Sequence, residues 1–201
     1  MEYKNLKLLF NPSCNKKIKF KKLRGFEVNK CWIFQPLVQA EDFVIYIRDN
    51  NIILSDRNGF LDNYNFKNEL DKILEDTFRI ACDKWLVFPA KIYIIQNDIK
   101  VFIYDLYIYN SENYTGIETK KRLELLSTLF KPLYSNLYYN SFNDKIKILK
   151  FFNKDFKLHL ENLKSNKYFN GIVLRLGDCP LESLEEKKNN IISHLICKYD
   201  L

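Results

Sequence analysis

An apolar run from Val101 to Tyr109 constrains the fold of this chain more than any other stretch. Its aliphatic and aromatic residues predict a buried β-strand. A polar turn at Asn110–Asn113 follows the run, and Arg122-Leu-Glu-Leu-Leu126 then predicts a short amphipathic helix that opens near Thr119. A strand, a turn and a helix in this order are typical of α+β proteins.

Other periodic segments extend this architecture. Two pairs of short apolar runs around polar turns predict β-hairpins, at Phe43–Ile47 with Ile52–Leu54 and at Lys91–Ile95 with Lys100–Tyr109. Helical spacing occurs in four segments, namely Asn65–Ala81, Thr119–Phe130, Asn143–Lys164 and Leu184–Cys197. Gly171–Leu176 predicts one further strand. We therefore expect an α+β fold with mostly antiparallel sheets and packed helices.

The composition predicts a single globular domain over residues 1–201, since hydrophobic residues make up 47% of the 201 positions. No apolar run resembles a signal peptide or a membrane span, so we expect a soluble, cytoplasmic protein that does not contact a membrane. The five cysteines form no CxxC pair, which argues against structural zinc and favours reduced thiols. They are Cys14, Cys31, Cys82, Cys179 and Cys197.

Residues 1–31 form a basic N-terminal segment in a chain whose net charge is +7. Cations alternate with Ile18, Phe20 and Leu23, a pattern that predicts an edge strand with one solvated face. The same cations could form a ribbon that binds nucleic-acid phosphates. The candidates for that role are Lys16, Lys17, Lys19, Lys21, Lys22 and Arg24.

Short motifs in residues 32–199 occur in an order that is typical of one superfamily. They are Trp32-Ile-Phe-Gln-Pro36 leading into Leu37-Val-Gln-Ala40, Ser55-Asp-Arg-Asn-Gly59, Phe88-Pro-Ala-Lys-Ile92, Tyr104-Asp105, Asn170-Gly-Ile-Val-Leu-Arg175, Cys179-Pro180 and Lys198-Tyr199. This order resembles the covalent nucleotidyltransferases, that is, the polynucleotide ligases and mRNA-capping guanylyltransferases. The resemblance implies a nucleotidyltransferase-like core. Since the chain stops at Leu201, we expect no OB-fold domain.

The resemblance also implies that the catalytic motifs are degenerate. In the superfamily a lysine in a K-x-D/N-G turn attacks the α-phosphate of a nucleoside triphosphate, and carboxylates hold ribose and metal. Leu37 stands at the lysine position, and Gln39, Lys91 and Asn170 stand where the family has acids. The resemblance therefore implies no catalytic residue, no metal and no cofactor.

Other positions of the family pattern are retained, and they are the candidates for binding an anion or a nucleotide. They are Arg57, Tyr104, Arg175 and Lys198, joined by the altered position Lys91. The resemblance implies that Arg57, Lys91, Arg175 and Lys198 converge on one groove with Leu37 and Asn170, without an acid to balance them. Arg122 could instead serve only its own helix.

Three functions remain open. The first is a catalytically inactive domain that binds RNA, DNA, a nucleotide or a protein partner as an accessory subunit. The second is an active ligase or capping-type enzyme with a displaced nucleophile, for which Lys91, Lys30 and Lys100 are candidates. The third is a viral or phage structural or interaction protein without an anion site.

Overall fold

The computed structural model describes residues 16–49, 51–56, 58–61, 63–78, 84–96, 98–130, 132–179 and 194–198. Arg57, Cys14, Cys82 and most of the helix predicted at Leu184–Cys197 lie outside these residues. Four α-helices are described: α1 (Leu23–Val28), α2 (Lys67–Phe78), α3 (Thr119–Leu129) and α4 (Phe156–Leu163). None of the described helices has both the length and the apolar character that a membrane crossing requires.

The described strands form two sheets, which we call the small sheet and the large sheet. The small sheet has the order β1–β14–β13–β2, with β1 at Lys16–Lys17, β2 at Trp32–Val38, β13 at Phe169–Leu176 and β14 at His194–Lys198. The main path of the large sheet has the order β10–β11–β12–β7–β6–β3–β4–β5. Its strands are β3 (Glu41–Arg48), β4 (Asn51–Asp56), β5 (Gly59–Leu61), β6 (Leu86–Ile95), β7 (Asp98–Ile103), β10 (Tyr134–Ser135), β11 (Tyr139–Ser141) and β12 (Ile146–Leu149).

Two short strands, β8 (Ile108–Tyr109) and β9 (Glu112–Asn113), extend the large sheet beside β6. Among the described strand pairs only β1 with β14 and β12 with β7 are parallel. The predicted α+β fold with mostly antiparallel sheets is therefore confirmed. Both predicted hairpins are present as β3–β4 and β6–β7, and α2 and α3 occupy two of the predicted helical segments.

One apolar cluster joins the two sheets and α4. It joins Phe34 and Leu174 of the small sheet to Phe102 of the large sheet, and it also receives Phe156 and Leu160 of α4. A second cluster packs α2 and α3 against the other face of the large sheet through Leu70, Leu74 and Leu126. Unpaired charges that are buried beside these apolar clusters would be costly.

Four sequence predictions about elements were wrong in part. The strand expected over Val101–Tyr109 ends at Ile103, and β8 begins only at Ile108. The helix expected over Asn143–Lys164 begins only at Phe156, because Ile146–Leu149 forms the buried strand β12 and Asp155 adopts a left-handed backbone with φ of 58°. The strand expected over Lys16–Arg24 is confined to Lys16–Lys17, and a 3-10 turn and α1 follow it. Residues His194–Cys197, expected in a helix, belong to strand β14.

Gly171 allows β13 and β14 to approach each other closely. A Cβ atom at this position would lie 2.2 Å from the carbonyl oxygen of Cys197 and 2.9 Å from the Cα of Lys198. Both are backbone atoms of β14, which cannot move aside without breaking the strand pair. The glycine of the Asn170–Arg175 motif is therefore required by packing, whatever its role in a site.

We expect Gly171→Ala to destabilise the protein by about 1–3 kcal/mol, the usual effect of overpacking a buried position. Gly25→Ala is the matched control, because a Cβ there meets no atom within 4 Å. That control lies in α1, where alanine should stabilise by roughly 0.5–1 kcal/mol. Urea unfolding of both variants measures the difference. Equal stabilities of the two variants would contradict the proposed clash.

Candidate functional site

Leu37, which the resemblance predicts to stand at the nucleophile position, lies at the end of a strand pair in the small sheet. Leu37 is the penultimate residue of β2, and its side chain is only 7% exposed. Strand β13 pairs with β2 from Phe169 opposite Val38, and the register shifts before Ile172, which faces Pro36. Asn170 lies within this irregular stretch, so Leu37 and Asn170 occupy the same end of the pair. Gln39 follows β2 and is exposed.

The side-chain oxygen of Asn170 is buried and has no hydrogen-bond partner among the described residues. A neutral amide at this position cannot supply the negative charge that a carboxylate would give a metal ion. Among the described residues, no three His, Cys, Asp or Glu side chains group together as metal ligands.

Lys91 meets an acid that the sequence analysis missed. It lies on β6 directly opposite Asp42 of β3, and its Nζ is 2.8 Å from Asp42 Oδ2. The same ammonium donates to the carbonyl of Ala40 at 3.2 Å. The sequence alone could not indicate Asp42, because the predicted strand began one residue later, at Phe43. Finding it would have required the register between β3 and β6.

Tyr104 connects this ion pair to the small sheet. Its hydroxyl donates to Asp42 Oδ1 at 3.3 Å, beside the oxygen that pairs with Lys91. Its carbonyl accepts hydrogen bonds from Gln35 Nε2 at 3.0 Å and from Arg175 at 3.2 Å. Arg175 also donates to Gln35 Oε1 at 2.9 Å. These contacts join β2, β3, β6 and β13 through polar groups, with Tyr104 just after β7 as the link.

Asp105 lies at the buried end of this network, between two arginines. Arg122 of α3 donates through Nε to Oδ1 at 3.0 Å and through a terminal nitrogen to Oδ2 at 2.9 Å, which is a bidentate pair. Arg175 of β13 donates to Oδ2 from the other side. All three side chains are at most 2% exposed. The suggestion that Arg122 serves only its own helix is therefore wrong.

Further hydrogen bonds hold the buried triad of Asp105, Arg122 and Arg175. Arg122 also donates to the carbonyl of Ile117 and to Thr119 Oγ1, and the backbone N–H of Leu106 donates to Asp105 Oδ1 at 2.8 Å. Burial by itself would raise the pKa of Asp105, but the charges and hydrogen bonds of the two guanidinium groups outweigh it and lower that pKa to about 2. Asp105 is therefore a carboxylate at neutral pH.

The sequence predicted that Arg57, Lys91, Arg175 and Lys198 lie together without an acid to balance them. For Lys91 and Arg175 that prediction is wrong. Lys91 pairs with Asp42, and Arg175 is buried against Asp105. Lys198 lies on β14 opposite Gly171 and is exposed. The structure thus gives Lys91 and Arg175 internal partners, and it places Lys198 next to the strand end that carries Asn170. In the basic segment, Lys17, Lys19, Lys21, Lys22 and Arg24 are exposed.

We expect Asp105→Asn to destabilise the protein by about 3–5 kcal/mol, because it leaves two guanidinium groups buried without a counter-charge. Asp98→Asn is the matched control. Asp98 also pairs with two cations, Lys100 and Lys145, but it is half exposed, so its loss should cost at most about 1 kcal/mol. Urea unfolding at neutral pH compares the two. Similar losses of unfolding free energy in both variants would show that the buried triad contributes no more to stability than an exposed ion pair.

The same variants predict a pH dependence. The folded pKa of Asp105 lies below its unfolded value, so its stabilisation is complete above about pH 4 and is lost as the pH falls toward 2. The difference in unfolding free energy between the wild type and Asp105→Asn should therefore shrink across this window, by roughly 2 kcal/mol. Acid titration of urea unfolding measures it. A difference that stays constant down to pH 2 would contradict the assigned pKa.

No protein-family model and no curated protein sequence matches the chain. Solved structures do match. The ligase domain of M. tuberculosis LigD has a TM-score of 0.59 at 14% identity, over 83% of this chain and 53% of that one. A mycobacterial DNA ligase D complexed with ATP and MES has a TM-score of 0.57 at 12% identity, over 84% of this chain and 54% of that one.

A structure named Pmar-Lig_PreS3 gives a TM-score of 0.55 at 13% identity, over 98% of this chain and 49% of that one. This chain thus spans about half the length of the solved structures that it matches. Identities this low show the fold alone. On that basis the chain has the α+β, nucleotidyltransferase-like fold of the DNA ligase domains.

Proposed function

We propose that this chain is a catalytically inactive nucleotidyltransferase-like domain that binds nucleic acid as an accessory subunit. The observation that carries the proposal is Leu37, a buried alkyl side chain where the resemblance requires a nucleophilic amine. A hydrocarbon cannot attack phosphorus, and no covalent nucleotide intermediate can form at this position.

The surroundings of Leu37 support inactivity. Gln39 and Asn170 are neutral amides, and neither can balance the charge of a divalent metal ion. Lys91, at the third acid position, brings a positive charge that Asp42 already compensates at 2.8 Å. The residues at the three acid positions thus supply no metal-binding carboxylate.

The same geometry favours a surface over the cleft as the place where a polyanion binds. Arg175 and Lys91 are engaged with Asp105 and Asp42, so they offer less to a bound phosphate than unpaired cations would. The exposed cations of the basic N-terminal segment have no such partners among the described ion pairs. Phosphate neutralisation by such side chains gives binding that is strong at low salt and indifferent to sequence.

An active enzyme with a displaced lysine is the second candidate. Lys91 and Lys100 are engaged in ion pairs as ammonium groups, and Lys30 is exposed and not itself in the cleft motifs. The structure adds Lys147 of β12, whose Nζ is buried 2.9 Å from the carbonyl of Asp144. Burial lowers the pKa of Lys147, which favours the neutral, nucleophilic amine.

We expect no lysyl-nucleotide to form. Intact-mass spectrometry after incubation with ATP or GTP and magnesium or manganese should show only the unmodified chain. A stable adduct of nucleoside-monophosphate mass would overturn the inactive assignment, and peptide mapping would then decide among Lys147, Lys91 and the remaining lysines.

We also expect Leu37→Lys alone not to restore adduct formation. The restored amine would still lack carboxylates to hold metal and ribose, since Gln39, Lys91 and Asn170 remain in place. The same mass measurement tests this variant. An adduct in Leu37→Lys, absent from the wild type, would show that these three positions do not limit the chemistry.

Nucleic-acid binding should weaken and lose salt dependence when the basic segment is neutralised. Each lost phosphate contact should flatten the slope of log K against log salt by about 0.9 for duplex DNA. The test variant replaces Lys16, Lys17, Lys19, Lys21 and Lys22 by Gln, and a control with the same net charge replaces Lys67, Lys72, Lys84, Lys120 and Lys121 by Gln. Fluorescence anisotropy with RNA and DNA at several salt concentrations measures both. An interaction protein without an anion site would show no such binding in any variant.

A further inference from the structure

Two segments that are distant in sequence meet beside the small sheet. Helix α1 packs against α4, and Lys157 of α4 places its Nζ 5.1 Å from the centre of the Phe20 ring. Glu27 of α1 accepts a hydrogen bond from the backbone N–H of Asp155, just before α4. Residues 17–28 of the basic N-terminal segment and α4 therefore form one continuous surface.

Positive charge dominates this surface. Residues 17–28 and 154–164 together contain eight cations and three acids. The cations are Lys17, Lys19, Lys21, Lys22, Arg24, Lys154, Lys157 and Lys164, and all of them are exposed. None takes part in an ion pair among the described residues, whereas Lys91, Lys100, Arg122, Lys145 and Arg175 all do.

The orientation of α4 brings its cations to the N-terminal segment. Phe156, Leu160 and Leu163 define the buried side of the helix. Lys164 directly follows α4 and is seven residues from Lys157, so the two lysines lie on the same flank of the helix. The contact of Lys157 with Phe20 shows that this flank is the one next to the N-terminal segment. The sequence analysis predicted only the N-terminal cations of this surface and not those of α4.

We propose that this α1–α4 basic face, formed by Lys19, Lys21, Lys22, Arg24, Lys157 and Lys164, binds the sugar–phosphate backbone of a nucleic acid. The proposal rests on the proposed function and assigns its surface. Charge complementarity carries it, since exposed unpaired cations on two elements can neutralise successive phosphates along a strand. Phe20 packs on the core and carries Lys157 on its ring, so it offers no platform for stacking bases. Binding is therefore expected to ignore sequence.

The test uses the full chain with Lys157→Gln and Lys164→Gln combined. Its control combines Lys72→Gln and Lys84→Gln. Both lysines are exposed, and they lie in α2 and two residues before β6, respectively. Anisotropy titrations employ single-stranded RNA, single-stranded DNA and duplex DNA of equal length across a salt series. Because all four lysines are exposed, thermal unfolding should show both variants folded as the wild type is.

For duplex DNA, the α4 variant should lower the slope of log K against log salt by about 1.8, as expected for two lost phosphate contacts, and the control should leave it unchanged. Equal changes of slope in both variants would mean that binding depends only on net charge, and they would overturn the assigned surface. Unchanged binding in the α4 variant would overturn it too. The RNA and single-stranded DNA arms show which polynucleotide binds more tightly to the same face.

Two further outcomes separate this inference from the proposed function. If the wild type binds none of the probes, nucleic-acid binding fails altogether, and this assignment fails with it. If polyglutamate competes as well as the oligonucleotides at equal charge, the face recognises acidic chains in general, and the nucleic-acid assignment is overturned.

Discussion

The buried carboxylate of Asp105, held between Arg122 and Arg175, is the interaction on which the arrangement of the two sheets depends. It ties helix α3 and the segment after β7 to strand β13 of the small sheet. Apolar packing alone fixes the distance between sheets only loosely, whereas a bidentate ion pair has one geometry. A buried charge network of this kind is costly to break, because removing one partner leaves the others as uncompensated buried charges.

The same interaction determines what the space between the sheets can do. Arg175 and Tyr104 occupy polar positions that face this space, yet their hydrogen bonds run to Gln35, Asp42 and Asp105. A cleft whose polar groups bond to one another gains rigidity and loses affinity for a ligand that would have to displace those bonds. This is the physical reason for proposing that a polyanion binds an outer surface.

Local sequence patterns predicted the elements whose environment is simple. Helix α2 has one buried face, and the β3–β4 hairpin joins two apolar strands by a polar turn, so their periodicities were informative. Strand β12 was mistaken for helix because its four residues are all buried, including Lys147, and no alternation marks it. The left-handed Asp155, which separates β12 from α4, has no signal in hydropathy.

The motif order singled out Leu37, Lys91, Asn170 and Arg175, and each of them lies on a strand. That they form a site stays a prediction. Asp42 and Gln35 were missed because their roles arise from strand register and from contact between sheets, which no local spacing encodes. Arg122 and Asp105 are brought together by the path of the chain through β8 and β9, so their pairing was visible only in three dimensions.

The pairing of Asp42 with Lys91 also restricts how this cleft can change over evolutionary time. The two residues face each other across adjacent strands, so replacing the lysine alone by an acid sets two carboxylates side by side. Replacing the aspartate alone leaves a mostly covered ammonium without its partner. Any route to a cleft with an acid at position 91 passes through one of these unfavourable intermediates or requires two simultaneous substitutions. The effects of substitutions at positions 42 and 91 on stability are therefore not expected to be additive.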